Sequence, residues 1–218
     1  MQRTDLVIFD CDGVLVDSEP IANRVFAEML REIGLDVSIR EMYERFVGRP
    51  MSYCMELVAE KLGRAPPDDF VANLQERTFA AFEAELRATP GILEALNEID
   101  LPVCVASSGE LEKMRLTLGL TGLLSRFEGR LFSVTEVARG KPAPDIYLHA
   151  AASLNANPRA CFVIEDSPVG AQAGVAAGMT VLGYCAHTPS DKLLSVGAQR
   201  AFADMRELPS LLPRRGRR

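Results

Sequence analysis

The sequence predicts an α/β fold, a doubly wound parallel sheet carrying an inserted helical cap, and three observations lead there. Short apolar, often β-branched runs recur at Leu6–Phe9, Pro102–Ser107, Leu131–Val134, Cys161–Glu165 and Thr180–Tyr184. Runs of this length bounded by turn signals fit strands buried on both faces. Helical patterns stand between the later runs, and strands alternating with helices imply a parallel sheet. Between the first two runs, however, lie roughly ninety residues without a strand pattern, where one crossover helix would need little more than a dozen. The expected organisation is a sheet core from 1–15 and 88–218, with a helical cap at 16–87.

The first strand delivers Asp10 and Asp12 to a sheet edge, and Gly13 supplies the sharp exit. Ligands of open α/β sheets sit at such carboxyl ends. Two carboxylates crowded there repel unless a cation or a shared proton relieves them, so the spacing suggests a hard divalent ion, with magnesium the natural candidate. An EF-hand loop counted from Asp10 fails, because Val14 and Leu15 stand where a ligand and a glycine are needed. Strand alternation turns Cys11 to the opposite face, away from the chemistry.

The insert reads as helices. Ser18 is positioned to cap the first, with Pro20 in its opening turn, Ile21, Val25, Met29 and Ile33 at near-helical spacing, and Gly34 at its end. Ser38 and Glu41 form a capping-box pattern for a second helix, with Ile39, Met42 and Phe46 on one side. Gly48-Arg49-Pro50 breaks the pattern, two more helices are expected near Ser52–Leu62 and Asp68–Leu86, and Pro90-Gly91 returns the chain to the core.

Charge and composition exclude several classes. Lys and Arg number 24 against 30 Asp and Glu, a net charge of −6, which argues against a nucleic-acid surface; the basic tail Pro213-Arg-Arg-Gly-Arg-Arg reads as solvated. No signal peptide is evident, and no stretch approaches the ~20 apolar residues of a membrane helix, so a soluble, cytoplasmic protein is expected, with a monomer as the default state. The five cysteines lack any C-x-x-C pair and read as reduced core residues. His149 and His187 have no spacing that supports a zinc site or a Ser-His system, and are expected to be structural or solvated.

Four loops supply what phosphoryl transfer requires. Asp10 is a candidate nucleophile, since a carboxylate can attack phosphorus to give an aspartyl-phosphate. Asp12, on the same face, can serve as general acid to the leaving oxygen and then as base to water. Ser107 and Ser108 end the second strand, where hydroxyls and the following helix start suit phosphate oxygens. Lys141, before a helix expected at Pro144–Leu154, can neutralise charge on the transferring group. Glu165 and Asp166 end the fourth run, before Gly170, Gly174 and Gly178 of a small-residue helix, and could complete a magnesium site with Asp10.

These residues resemble the haloacid dehalogenase superfamily over nearly the whole chain. Asp10-Cys-Asp-Gly-Val-Leu-Val-Asp17-Ser18 is similar to its first motif, Ser107 to its second, Lys141 to its third and Glu165-Asp166-Ser167 to its fourth. The resemblance implies a Rossmann-like core, Asp10 as nucleophile, Asp12 as acid/base, and Ser107 and Lys141 as phosphate ligands. It also implies magnesium held by Asp10, the Asp12 carbonyl and Asp166, with Glu165 acting through water. The insert is similar to the helical cap of the subgroup holding β-phosphoglucomutase and small sugar-phosphate phosphatases, a cap that selects substrate and is expected to open and close. Arg45 and Arg49 are the expected anion contacts there. Gly48-Arg49-Pro50-Met51-Ser52 stands where the mutase has a serine-arginine-glutamate run, so the leading expectation is a phosphatase for a small sugar or sugar-acid phosphate. A phosphomutase is the alternative. A phospho-acceptor signalling domain would place its aspartate on a later strand, and a non-catalytic binding protein on this fold is the remaining possibility.

Overall fold

The computed structural model describes residues 6–46 and 49–213, with Tyr43 described by its backbone. Gly48 of the expected break and the arginines of the basic tail lie outside the described residues. The chain forms two compact units, one of residues 1–17 and 87–218 and one of residues 18–86.

Strand β1 (Leu6–Phe9) opens the sheet unit and runs into a tight turn, in which Gly13 N–H donates to Val16 O at 2.8 Å. Val16 then bridges Ala88 in antiparallel fashion, so the chain leaves the unit and returns to it side by side.

The helical unit consists of α1 (Glu19–Glu32), α2 (Ile39–Arg45), α3 (Met51–Leu62) and α4 (Phe70–Glu85). Its core gathers Val25, Phe26, Met29 and Leu30 of α1 with Met42, Phe46, Leu57, Val58, Phe70 and Leu74. The buried stripe of α1 is therefore two adjacent i,i+4 rows, Val25–Met29 and Phe26–Leu30, whereas Ile21 and Ile33 are only half-buried. Phe26 meets Phe46 edge-on with centroids 5.5 Å apart. Three expected details differ. Ser18 stands at the N-cap of α1 without a side-chain capping bond, since its backbone is already helical (φ −86°, ψ −26°). At α2 the Ser38 hydroxyl accepts from Glu41 N–H, but the Glu41 carboxylate reaches Lys61 at 2.5 Å, and Ile39, expected on the apolar side, is 61% exposed.

The sheet unit continues with α5 (Ile92–Glu98), β2 (Val103–Ser107), α6 (Leu111–Leu120), α7 (Leu124–Phe127), β3 (Leu131–Ser133), α8 (Asp145–Ser153), β4 (Cys161–Glu165), α9 (Pro168–Ala176), β5 (Thr180–Tyr184), α10 (Ser190–Ser195), β6 (Arg200–Phe202) and α11 (Leu208–Leu211). Among the described residues the strands lie in the order β3-β2-β1-β4-β5-β6, every pair parallel. This is the doubly wound order, and β1 and β4 flank its point of reversal. Leu6 and Ile8 pack with Tyr147, Ala150, Ala171 and Ala173 beneath α8 and α9, while Phe9 meets Phe127 of α7 at 6.2 Å. The sixth strand was not among the expected runs. Arg200-Ala-Phe is too short and too polar at its start to register as one, and it forms by pairing along β5 at the sheet edge. No described helix is long and apolar enough to cross a membrane.

Candidate active site

The two strands at the reversal point end in carboxylates. Asp10 follows β1 and Asp166 follows β4, and Asp10 N–H donates to Ile164 O at 3.0 Å, which keeps the two strand ends level. Gly13 adopts φ +78°, and a Cβ placed there would fall 2.1 Å from Asp166 Oδ2. Gly13 is thus required twice, for the left-handed turn and for the room it leaves the Asp166 carboxylate.

Lys141 is the hub. Its Nζ donates to Asp10 Oδ1 at 2.6 Å, to Glu165 Oε1 at 2.6 Å and to Ala106 O at 3.3 Å, with the side chain only 5% exposed. Glu165 is enclosed: Tyr147 OH donates to Oε1 at 2.8 Å, and the Ser167 N–H and hydroxyl donate to Oε2 at 3.0 and 2.9 Å. A Cβ on Gly170 would fall 1.6 Å from Glu165 Oε1, so only glycine leaves this carboxylate its place. Ser167 also caps α9 by accepting from Gly170 N–H at 3.0 Å, so that neither Glu165 nor Asp166 fills the N-cap position of this helix.

Charge explains the titration directions. Burial pushes the Asp10 carboxyl up to about 7, against the pull of Lys141 and with the help of the Glu165 charge. Burial would also push Glu165 up, but Lys141 and its hydrogen-bond donors outweigh it and hold the group below the usual carboxylate range. Lys141 stays well above its ordinary value, because the Asp10 and Glu165 charges overcome the cost of burying the ammonium. One cation thus stands between two buried carboxylates.

At the end of β2, Ser107 is buried and its Oγ accepts from Gly109 N–H at 3.1 Å, while Ser108 is exposed. Asp12 meets a residue that the sequence did not single out: Lys113 of α6 donates from Nζ to Asp12 Oδ2 at 2.8 Å. Cys11 lies on the other side as alternation requires, 3.9 Å from Thr117 Oγ1, and burial holds its thiol protonated. Tyr147 was also missed. Its place in the apolar pattern of α8 reads as core, and only the fold brings its hydroxyl to Glu165.

Among the described residues no three His, Cys, Asp or Glu side chains gather as a metal cluster. The carboxylates at the two strand ends are Asp10 and Asp166, and the Asp166 carboxylate lies where a side chain at position 13 would otherwise stand. A set of one or two carboxylates completed by substrate and water suits a hard ion such as Mg²⁺ better than zinc or calcium. Glu165, with both oxygens engaged by protein donors, could serve such an ion only from beyond its direct ligands. Arg45 and Arg49 belong to the helical unit, where Arg45 lies 3.8 Å from Glu41 and Arg49 stacks 5.6 Å from the Tyr53 ring centroid. Of the histidines, His187 Nε2 lies 3.2 Å from Asp17 Oδ1, and His149 packs edge-on against Phe132 at 5.5 Å.

The chain is similar to known proteins in sequence and in fold. Residues 4–178 match the family described as haloacid dehalogenase-like hydrolase. The 6-phosphogluconate phosphatase of Escherichia coli is 35% identical over 217 residues, 99% of this chain and 98% of that protein. Hexitol phosphatase B of Escherichia coli is 31% identical over 177 residues, 79% of each chain. The crystal structure of a HAD family hydrolase from Deinococcus radiodurans, with bound phosphate and sodium, superposes with a TM-score of 0.79 at 35% identity, covering 94% of this chain and 93% of that one. A doubly wound sheet whose reversal point carries Asp10, Lys141 and Asp166, matched to that family over most of its length, makes this chain an enzyme of the haloacid dehalogenase-like hydrolases.

Proposed function

We propose that the enzyme is a magnesium-dependent phosphatase that hydrolyses a small sugar or sugar-acid phosphate through an aspartyl-phosphate on Asp10. The observation that carries this reading is the ammonium of Lys141 bonded to both Asp10 and Glu165 at 2.6 Å. It fixes a carboxylate oxygen at the sheet edge and supplies positive charge where a phosphoryl group would arrive. Support for the substrate class comes from the relatives, whose names specify a sugar-acid phosphate in one case and hexitol phosphates in the other.

In the first step an Asp10 oxygen attacks phosphorus, the bond from phosphorus to the ester oxygen breaks, and Asp12 gives that oxygen a proton. In the second step Asp12 takes a proton from water, the water oxygen bonds to phosphorus, and the bond to Asp10 breaks, restoring the carboxylate. Lys141, Ser107 and Ser108 hold the phosphoryl oxygens throughout. Magnesium, held by the Asp10 and Asp166 carboxylates and the Asp12 carbonyl, would neutralise phosphate charge that Lys141 alone does not offset. Arg45 and Arg49 contact the substrate's anionic groups. Five free cysteines suit a reducing compartment, and the enzyme acts as a monomer in the cytoplasm.

The test is phosphate release from 6-phosphogluconate, hexitol phosphates, hexose phosphates and nucleotides, with and without Mg²⁺. Release should require the metal, and Asp10→Asn should lower it on the order of a thousandfold while keeping the fold. An Asp10→Asn protein that retains turnover would overturn the mechanism. Release from nucleotides alone would overturn the substrate class.

A further inference from the structure

Lys113 stands in an unfavourable place for a cation. It is the third residue of α6, in the first turn, where the helix dipole and the unpaired N–H groups disfavour positive charge. Its side chain is 31% exposed and its stem runs back towards the sheet edge, so it also gives up solvent. What offsets both costs is Asp12: Nζ lies 2.8 Å from Oδ2 across 101 residues of sequence. The turn before α6 packs against this pair, since a Cβ on Gly109 would lie 3.6 Å from Lys113 Cδ and 3.7 Å from Asp12 Oδ2. That turn is itself fixed, with Ser133 Oγ donating to Gly109 O at 2.8 Å and Gly109 N–H donating to Ser107 Oγ.

We propose that Lys113 is a positioning residue for Asp12, holding one carboxyl oxygen so that the group is presented in a fixed rotation to the leaving oxygen of the substrate. The inference rests on the phosphatase reading above and adds a residue to it. Lys113 touches neither substrate nor the attacked phosphorus; it acts through Asp12, and it ties that residue to the same turn that carries Ser107.

A fixed acid matters only when the leaving group needs a proton. A sugar alkoxide is a poor leaving group and departs with proton transfer, whereas p-nitrophenolate departs as a stable anion. The two esters therefore separate a loss of acid positioning from general damage to the site. The experiment measures kcat/KM, which covers the steps up to loss of the alcohol, for 6-phosphogluconate and for p-nitrophenyl phosphate. It compares the wild-type enzyme, Lys113→Met and Lys113→Arg, each checked for an unchanged thermal midpoint.

Lys113→Met should lose about tenfold or more on 6-phosphogluconate and less than about threefold on p-nitrophenyl phosphate, with Lys113→Arg recovering part of the loss. Equal losses on both esters, no loss on either, or a loss confined to the aryl ester would overturn the proposal. Where Lys113→Met fails to fold, the decision passes to the ratio of the two losses in Lys113→Arg. A wild-type enzyme that releases phosphate from neither ester would overturn the phosphatase reading and this inference with it, an outcome distinct from the patterns above.

Discussion

Lys141 shows what a single buried cation does for two buried carboxylates. With side-chain exposures of 5% for the lysine, 10% for Asp10 and 1% for Glu165, the three groups have given up most of their water, and each is tolerable only because of the others. Lys141→Met should therefore destabilise the fold by about 3–5 kcal/mol, measured by urea denaturation, besides removing activity. A loss under about 1 kcal/mol would mean that the carboxylates relax into solvent or share a proton instead. Tyr147→Phe is a milder cut: the ring still packs, and only the 2.8 Å bond to Glu165 goes, so a cost of about 1–3 kcal/mol is expected from the same titration. Asp10, Asp12, Glu165 and Asp166 were legible in the sequence because each stands where an apolar run stops. A buried strand that ends in carboxylates must either pair those charges or use them. Lys113 and Tyr147 were not legible. Each lies inside a helical pattern, and its partner lies at the end of a strand that only the folded sheet brings near.

At the scale of elements, β1 and β4 were readable because they are buried on both faces and so appear as continuous apolar runs. The edge strand β6 is defined by its neighbour, so a three-residue segment with an exposed arginine left no trace in composition. Amphipathic periodicity also misled at α2, where Ile39 shares spacing with Met42 and Phe46 but sits at the first turn, beyond the reach of the unit's core. Helix α9 shows why small residues can be a packing requirement. A Cβ on Gly174 would fall 2.7 Å from Val181 Cγ2 and 3.3 Å from Val163 Cβ, and both valines are buried and stiff at χ1. Gly174→Ala would gain up to about 1 kcal/mol of helix propensity, but forcing α9 off β4 and β5 should cost about 1–3 kcal/mol. A lowered thermal midpoint is therefore expected, and a raised one would show that the helix shifts without penalty.

For the whole molecule, the division into two units left a mark in the sequence as a long interval without strand pattern, and the helices within it were readable from their apolar spacing and breakers, although among its described residues only Ser38 makes a side-chain cap. Substrate choice was not readable, because periodicity does not say which side chains would meet a ligand. With anion recognition assigned to Arg45 and Arg49, Arg49→Ala should raise KM for 6-phosphogluconate several-fold with little change in kcat; a fall in kcat at constant KM would count against it. The proposed mechanism depends throughout on Asp10 carrying the phosphoryl group. The most direct measurement is mass spectrometry of acid-quenched enzyme mixed with substrate and Mg²⁺, followed by identification of the modified peptide. One phosphoryl group is expected on Asp10 in the wild type and none in Asp10→Asn. Steady phosphate release with no phosphoryl group on Asp10 at any quench time would contradict the mechanism.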